Sequence, residues 1–172
     1  MRSENLKSKK AFSLIELLLY IAIVSIMMIV MTSFFGTIVE SSLRSQTINE
    51  VQQNSSQIIN FITQNIRNSS SIITPTTGNS SSSLISTVSG SPIGFDLNSG
   101  NLRYTTNPLD SLPTYINLNS NRVTVTSLTI YNLTGGSEGN IRIVMTLSRV
   151  NPDSRTTLNY SETFYADAAL RQ

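Results

Sequence analysis

The 172 residues contain no cysteine, no histidine and no tryptophan. Without cysteine no disulfide can form, and metal sites built from Cys and His are excluded. Histidine-based acid–base catalysis is excluded as well. No lysine follows Lys10, and no proline precedes Pro75. The three lysines, Lys7, Lys9 and Lys10, share the first ten residues with Arg2 and a single acid, Glu4. Beyond residue 11 stand eight bases and nine acids, so the net charge of +2 and the sequence pI of about 9.1 describe the leader rather than the chain. No basic patch follows that would point to a nucleic-acid partner. G-x-S-x-G and P-loop spacings are also missing, and the ten acids are scattered. No enzymatic activity, no cofactor and no metal site is expected. Asp96 and Asp110 are a carboxylate pair that could act together only if the fold brought them close. Ser, Thr and Asn are abundant, which suits a surface facing water outside the cytoplasm.

One long apolar run is present. Phe12 to Phe35 comprises 24 residues, about 36 Å as a helix, against a bilayer core of roughly 30 Å. Lysines directly before it favour a cytoplasmic N-terminus. A cleaved secretory signal fits poorly, because the run is too long and ends "MTSFFGTIVE" with no A-x-A. A plain signal anchor would explain everything but Glu16. A carboxylate in an apolar helix costs roughly 2.5 to 3.5 kcal/mol on insertion scales and points to function. No Lys or Arg lies between Glu16 and Arg44. A cationic partner must come from the leader, from another chain or from a new amino terminus.

Lys9-Lys10-Ala11-Phe12-Ser13-Leu14-Ile15-Glu16-Leu17 resembles the class III signal of type IV pilins and pseudopilins. That family has a short basic leader, a small residue before the cut, Phe after it and Glu at the fifth mature position. Ala11, Phe12 and Glu16 match those three places. The residue before the cut is usually Gly; Ala is a tolerated substitute because the cleft needs a small side chain. The resemblance implies a prepilin peptidase that cuts after Ala11 and methylates the new amine of Phe12, with Glu16 pairing to the amine of a neighbouring copy. It implies further partners: other pilin or pseudopilin subunits, an inner-membrane platform protein and an assembly ATPase. The order "LNSNRVTVTSLTIYNL", "IRIVMTLS", "YSETFYADAALR" is similar to the C-terminal half of J-type minor pseudopilins.

Further along, Ile48, Val51, Ser55, Ile58, Ile59, Ile62 and Ile66 keep helical spacing on one face. The opposite face carries Asn49, Gln53, Asn60 and Gln64. One helix is expected from about Ser13 to Asn68, with Gly36 its softest point. The missing proline leans toward a pseudopilin or minor pilin, because many major pilins have one near mid-helix. Ser69 to Ser91, with Pro75, Gly78 and Gly90, reads as an exposed Ser/Thr-rich loop with at most one short strand at Leu84–Val88.

The period then changes to two. Phe95 and Leu97 precede an Asn-Ser-Gly turn, and Leu102 and Tyr104 follow it, which is a hairpin pattern. Asp96, Asn98 and Gly100 faintly resemble a calcium loop, but Asn107 stands where its terminal acid belongs. In "VTVTSLTIY" the apolar phase slips, so either a bulge near Thr126 or Ser127 or burial on both faces is expected. Ile141, Ile143, Met145 and Leu147 alternate cleanly. Leu158, Tyr160, Phe164 and Ala166 continue the pattern, interrupted by Glu162. Short connections make these last three strands an antiparallel meander, and the helical stripe is the available cover for its face.

The expected fold is α+β and pilin-like: a long N-terminal helix, its first half membrane-spanning, packed on a C-terminal antiparallel sheet. The expected divisions are a cytoplasmic leader over 1–11, removed on maturation; a transmembrane and assembly helix over 12–35; its amphipathic continuation over 36–68; the loop over 69–91; and the sheet domain over 92–172. The chain is expected to be a single-pass inner-membrane protein with its domain outside the cytoplasm. The expected function is that of a structural subunit of a type IV pilus-like or type II secretion filament. Alternatives are a minor pilin for adhesion or DNA uptake, the latter favoured if Arg103, Arg122, Arg142 and Arg149 formed a basic patch, or a tethered binding module that does not polymerise. Replacing Ala11 by a bulky residue is expected to leave the precursor at full length on a gel; normal shortening would contradict cleavage at that bond.

Overall fold

The computed structural model describes residues 13–133, 139–152, 154 and 156–170. It opens with one helix, α1, over Leu14–Arg67. No proline interrupts the run, and Gly36 leaves it continuous. The helix ends where Asn68 donates its N–H to the Gln64 carbonyl (3.1 Å) and the Ser69 hydroxyl takes the Asn65 carbonyl (2.7 Å). The chain divides into two compact units, residues 1–42 and residues 43–172.

Within the second unit, α1 buries Thr47, Val51, Ser55, Ile58, Ile62 and Ile66. Steps of three and four residues keep these on one face. Thr47, rather than Ile48, begins the fully buried row, and Ile48 is half-buried. The two buried hydroxyls bond back along the helix, Thr47 to the Leu43 carbonyl (3.0 Å) and Ser55 to the Gln52 carbonyl (2.8 Å). Neither is therefore left without a partner in the core.

Nine strands follow: β1 (Ser69–Thr74), β2 (Ser80–Ser81), β3 (Ser83–Val88), β4 (Ser91–Asn98), β5 (Asn101–Thr105), β6 (Ile116–Asn117), β7 (Val123–Asn132), β8 (Asn140–Arg149) and β9 (Ser161–Ala169). They form two antiparallel sheets rather than the single one expected, in the orders β1-β3-β4-β5-β6 and β2-β7-β8-β9. The segment 69–91, expected as a loop, is largely strand. Its period-two signal is hidden because several of its buried positions are serines. Ser69 and Ser86 are both buried and hydrogen-bond each other at 2.9 Å, beside buried Leu84.

The β4–β5 hairpin has the expected register, Phe95 opposite Tyr104 and Leu97 opposite Leu102. Its turn residues Ser99 and Gly100 both have positive φ, 49° and 78°, as a two-residue type I′ turn requires. A Cβ on Gly100 would also fall 2.5 Å from Thr124 Cγ2, so glycine is needed there twice over. In β7 the register shifts between Val125 and Ser127. That bulge returns Leu128 and Ile130 to the buried side already used by Val123 and Val125. In β8 Ile141, Ile143, Met145 and Leu147 are all fully buried. Glu162, the acid that breaks the inward row of β9, accepts a hydrogen bond from the Tyr160 hydroxyl at 2.5 Å. That bond holds the phenol's pKa above its ordinary value, because deprotonation would set two anions side by side.

Polar staples join the elements of this unit. Asn119, buried, accepts the Leu102 N–H (2.8 Å) and donates to the Val123 carbonyl (2.6 Å), tying β5 to the start of β7. Glu50 on α1 accepts from Arg122 (2.9 Å), just before β7, and from Arg149 at the end of β8. Asn54, one turn on, accepts the Ser120 N–H at 3.0 Å.

All buried apolar residues belong to one cluster that begins at Val51. A fragment starting at Leu43 is therefore expected to be soluble and to unfold cooperatively, as followed by circular dichroism in denaturant. In that fragment Ile62→Ala is expected to lose about 2–5 kcal/mol, whereas exposed Asn60→Ala stays within about 0.5 kcal/mol. Equal effects would contradict the burial of this stripe.

Candidate membrane and assembly surface

In the first unit, every described residue of α1 is exposed. Leu14 is 78% exposed, Met28 68% and Phe34 63%, which for side chains of this kind means that the fold offers them no core. Apolar residues surround the helix on all sides, the pattern of a segment whose solvent is lipid or other helices. The helix is long and apolar enough to cross a membrane, and fits a single-pass anchor. Three of its hydroxyls bond back to the helix: Ser25 donates to the Ile21 carbonyl (2.7 Å), Thr32 to Met28 (2.8 Å) and Thr37 to Phe34 (2.8 Å). They therefore add little cost in hydrocarbon.

Glu16 lies in the first turn of α1. The N–H groups of Glu16 and Leu17 both reach the Ser13 carbonyl, at 3.0 and 3.2 Å. That makes Ser13 the capping residue and Glu16 the third residue of the helix. A carboxylate there faces the positive end of the helix dipole, worth roughly 0.3–1 kcal/mol. The helix thus supplies part of what Glu16 needs before any partner arrives. The Ser-x-x-Glu spacing of a capping box was the signal for this in the sequence. Among the described residues Glu16 has no ion pair, and its side chain is exposed. Ala11 and Phe12, together with Lys7, Lys9 and Lys10, lie outside the described residues.

Elsewhere the candidate residues are engaged in structure. Both Asp96 oxygens accept from Arg103, Nε at 3.0 Å and an Nη at 2.5 Å. The ion pair raises the arginine's pKa further above its ordinary range. The Asp96 carboxylate that suggested a calcium loop is thus occupied, and among the described residues no group of three or more acids is placed to hold a metal. Arg122 and Arg149 share Glu50, and Arg142 pairs with Asp167 at 2.8 Å. The four arginines do not form an open basic patch, because each is ion-paired, with three carboxylates serving the four.

A family model described as the prokaryotic N-terminal methylation motif matches residues 6–32. No curated protein and no solved structure matches the chain significantly. The matched span takes in the lysines, the Ala11–Phe12 junction and Glu16, and runs on into the exposed part of α1. It supports kinship with type IV pilins and pseudopilins, and points to a structural subunit rather than an enzyme. The chain thus joins a prokaryotic N-terminal methylation motif to a pilin-like α+β architecture.

Proposed function

We propose that this chain is the precursor of a structural filament subunit, a pseudopilin or minor pilin, cut by prepilin peptidase between Ala11 and Phe12 and methylated on the Phe12 amine. One observation carries the reading: a methylation motif over residues 6–32 runs into a helix whose apolar side chains before residue 43 have no core of their own. The basic leader holds the precursor with its N-terminus in the cytoplasm and its β-rich unit outside the inner membrane. After cleavage, copies exchange lipid contacts for helix–helix packing. Close packing and polar pairing drive that step, since lipid is as apolar as a leucine side chain. Glu16 then pairs with the Phe12 amine of a neighbour and sets the axial register. A head-to-tail contact of this kind does not close on itself and yields a filament.

The setting is a type IV pilus-like filament or a type II secretion pseudopilus, and the J-type minor pseudopilin is the nearest subtype. A platform protein and an assembly ATPase are the implied partners. A DNA-uptake role is disfavoured by the three carboxylates that pair with Arg103, Arg122, Arg142 and Arg149.

The test is Glu16→Val in the full-length chain. Mass spectrometry is expected to find normal cleavage and a methylated Phe12. Incorporation into sheared filaments is expected to fall by about tenfold or more, the factor set by losing about 1.4 kcal/mol of pairing. Normal amounts of the variant in filaments would contradict the pairing role. A native protein that begins at Met1 and stays monomeric in the membrane would overturn the reading as a whole.

A further inference from the structure

Helix packing and Glu16 pairing leave unexplained the apolar surface that the second unit shows to water. Two features of it fit each other. The first is the loop 106–115 between β5 and β6, which carries Leu109 (64% exposed) and Leu112 (91% exposed). This loop is braced at both ends. Pro108 packs so closely on Gly94 that a Cβ there would fall 2.7 Å from the proline ring. The N–H of Asn107 reaches Thr105 Oγ1 (3.1 Å), and that of Asp110 reaches the Asn107 carbonyl (3.3 Å). At the far end the Arg103 guanidinium, fixed by Asp96, lies 4.0 Å from the Tyr115 ring centroid. Scattered exposed leucines mean little. Two of them on a loop held in place, with an acid between, form a preorganised knob. Asp110 has no ion pair among the described residues.

The second feature is a cleft of about 550 Å³ on the outer face of β7, β8 and β9. Tyr131, Leu133, Val144 and Tyr165 line it, with the Arg142–Asp167 pair alongside. The strand register explains the set: Tyr131, Arg142 and Asp167 stand in one row across the sheet, and Val144 and Tyr165 in the next. Arg142 spends one close bond on Asp167 (2.8 Å) and one long one (3.4 Å). A guanidinium has five donors, so this one retains capacity for a second carboxylate.

We propose that the loop of one copy seats in the cleft of the next, with Leu109 and Leu112 against Tyr131, Leu133, Val144 and Tyr165, and Asp110 on Arg142. The occupant is a second copy of this chain because knob and cleft are both present on it, neither is filled by any described residue, and the acid on one meets the base on the other. The two surfaces differ, so the contact is heterologous and propagates in one direction. The inference rests on the filament reading and adds where the β-rich units touch. Such a contact is small, and becomes effective because the helices already hold the copies at high local concentration.

The natural chain has no cysteine, so introduced thiols report cleanly. Full-length copies carrying Ser111→Cys are co-produced with copies carrying Thr163→Cys, which leaves both leucines and the whole cleft lining intact, and the membranes are oxidised with a copper catalyst. Disulfide dimers are expected about tenfold above those from a Ser111→Cys and Gln57→Cys pair, Gln57 being exposed on α1, the factor for about 1.4 kcal/mol. Leu112→Ser on the Ser111→Cys copy is expected to remove most of that excess; its side chain is exposed, so the core is untouched. Asp110→Arg is expected to do the same. Yields no better than the control pair, or unaffected by these changes, would overturn the contact. Cleavage and filament incorporation are read from the same cells. Normal incorporation without cross-links discards only the contact, whereas failed incorporation counts against the filament reading itself.

Discussion

The burial of one helical stripe organises the second unit. Val51, Ile58, Ile62 and Ile66 enter the same cluster as Leu84, Phe95 and Leu102 from one sheet and Val125, Ile130 and Ile143 from the other. Each such side chain contributes roughly 1.5–3 kcal/mol when fully removed from water. Among the described residues neither sheet has another α-helix to cover it, so both depend on the same row of residues. Phe61 extends that contact sideways, with its ring 5.2 Å from Tyr104 and 6.0 Å from Phe95 in edge-to-face geometry.

Apolar burial has no direction, and the polar staples supply it. Glu50 meets two arginines distant in the chain, Arg122 just before β7 and Arg149 at the end of β8, and Asn54 holds the loop before β7. These groups bracket the beginning of the buried stripe, so the helix cannot rotate without leaving Arg149 partly buried and unpaired. Such a loss costs more than the pair contributes when intact. Asn119 serves in the same way between the sheets, because the Leu102 N–H would otherwise be orphaned at a buried site.

The residues that point to processing and assembly lie in the first 16 of the sequence, before the first core residue, Val51. The leader motif and Glu16 were legible at once, since a carboxylate in an apolar helix and a small-Phe junction after lysines are rare together. What the sequence reading undervalued was Ser13. Treating Glu16 only as a charge in search of a counterion overlooked the first-turn position that already favours it. The four arginines show the opposite case. Their spacing permitted a basic patch, and only the folded chain, as in the Arg142–Asp167 pair across two strands, showed each of them ion-paired.

Periodicity by itself determined the long helix, the buried face of its second half, the β4–β5 hairpin and the alternation of β8. In each of these, local spacing and side-chain type carry the whole signal. Tertiary structure decided that there are two sheets, that the serine-rich segment 69–91 pairs as β1, β2 and β3, and that Glu50 joins two distant arginines. Strand pairing depends on contacts far apart in the chain. A buried serine bonded to another serine leaves no trace in hydropathy, so polar strands such as β1 become visible only once their partners are in place.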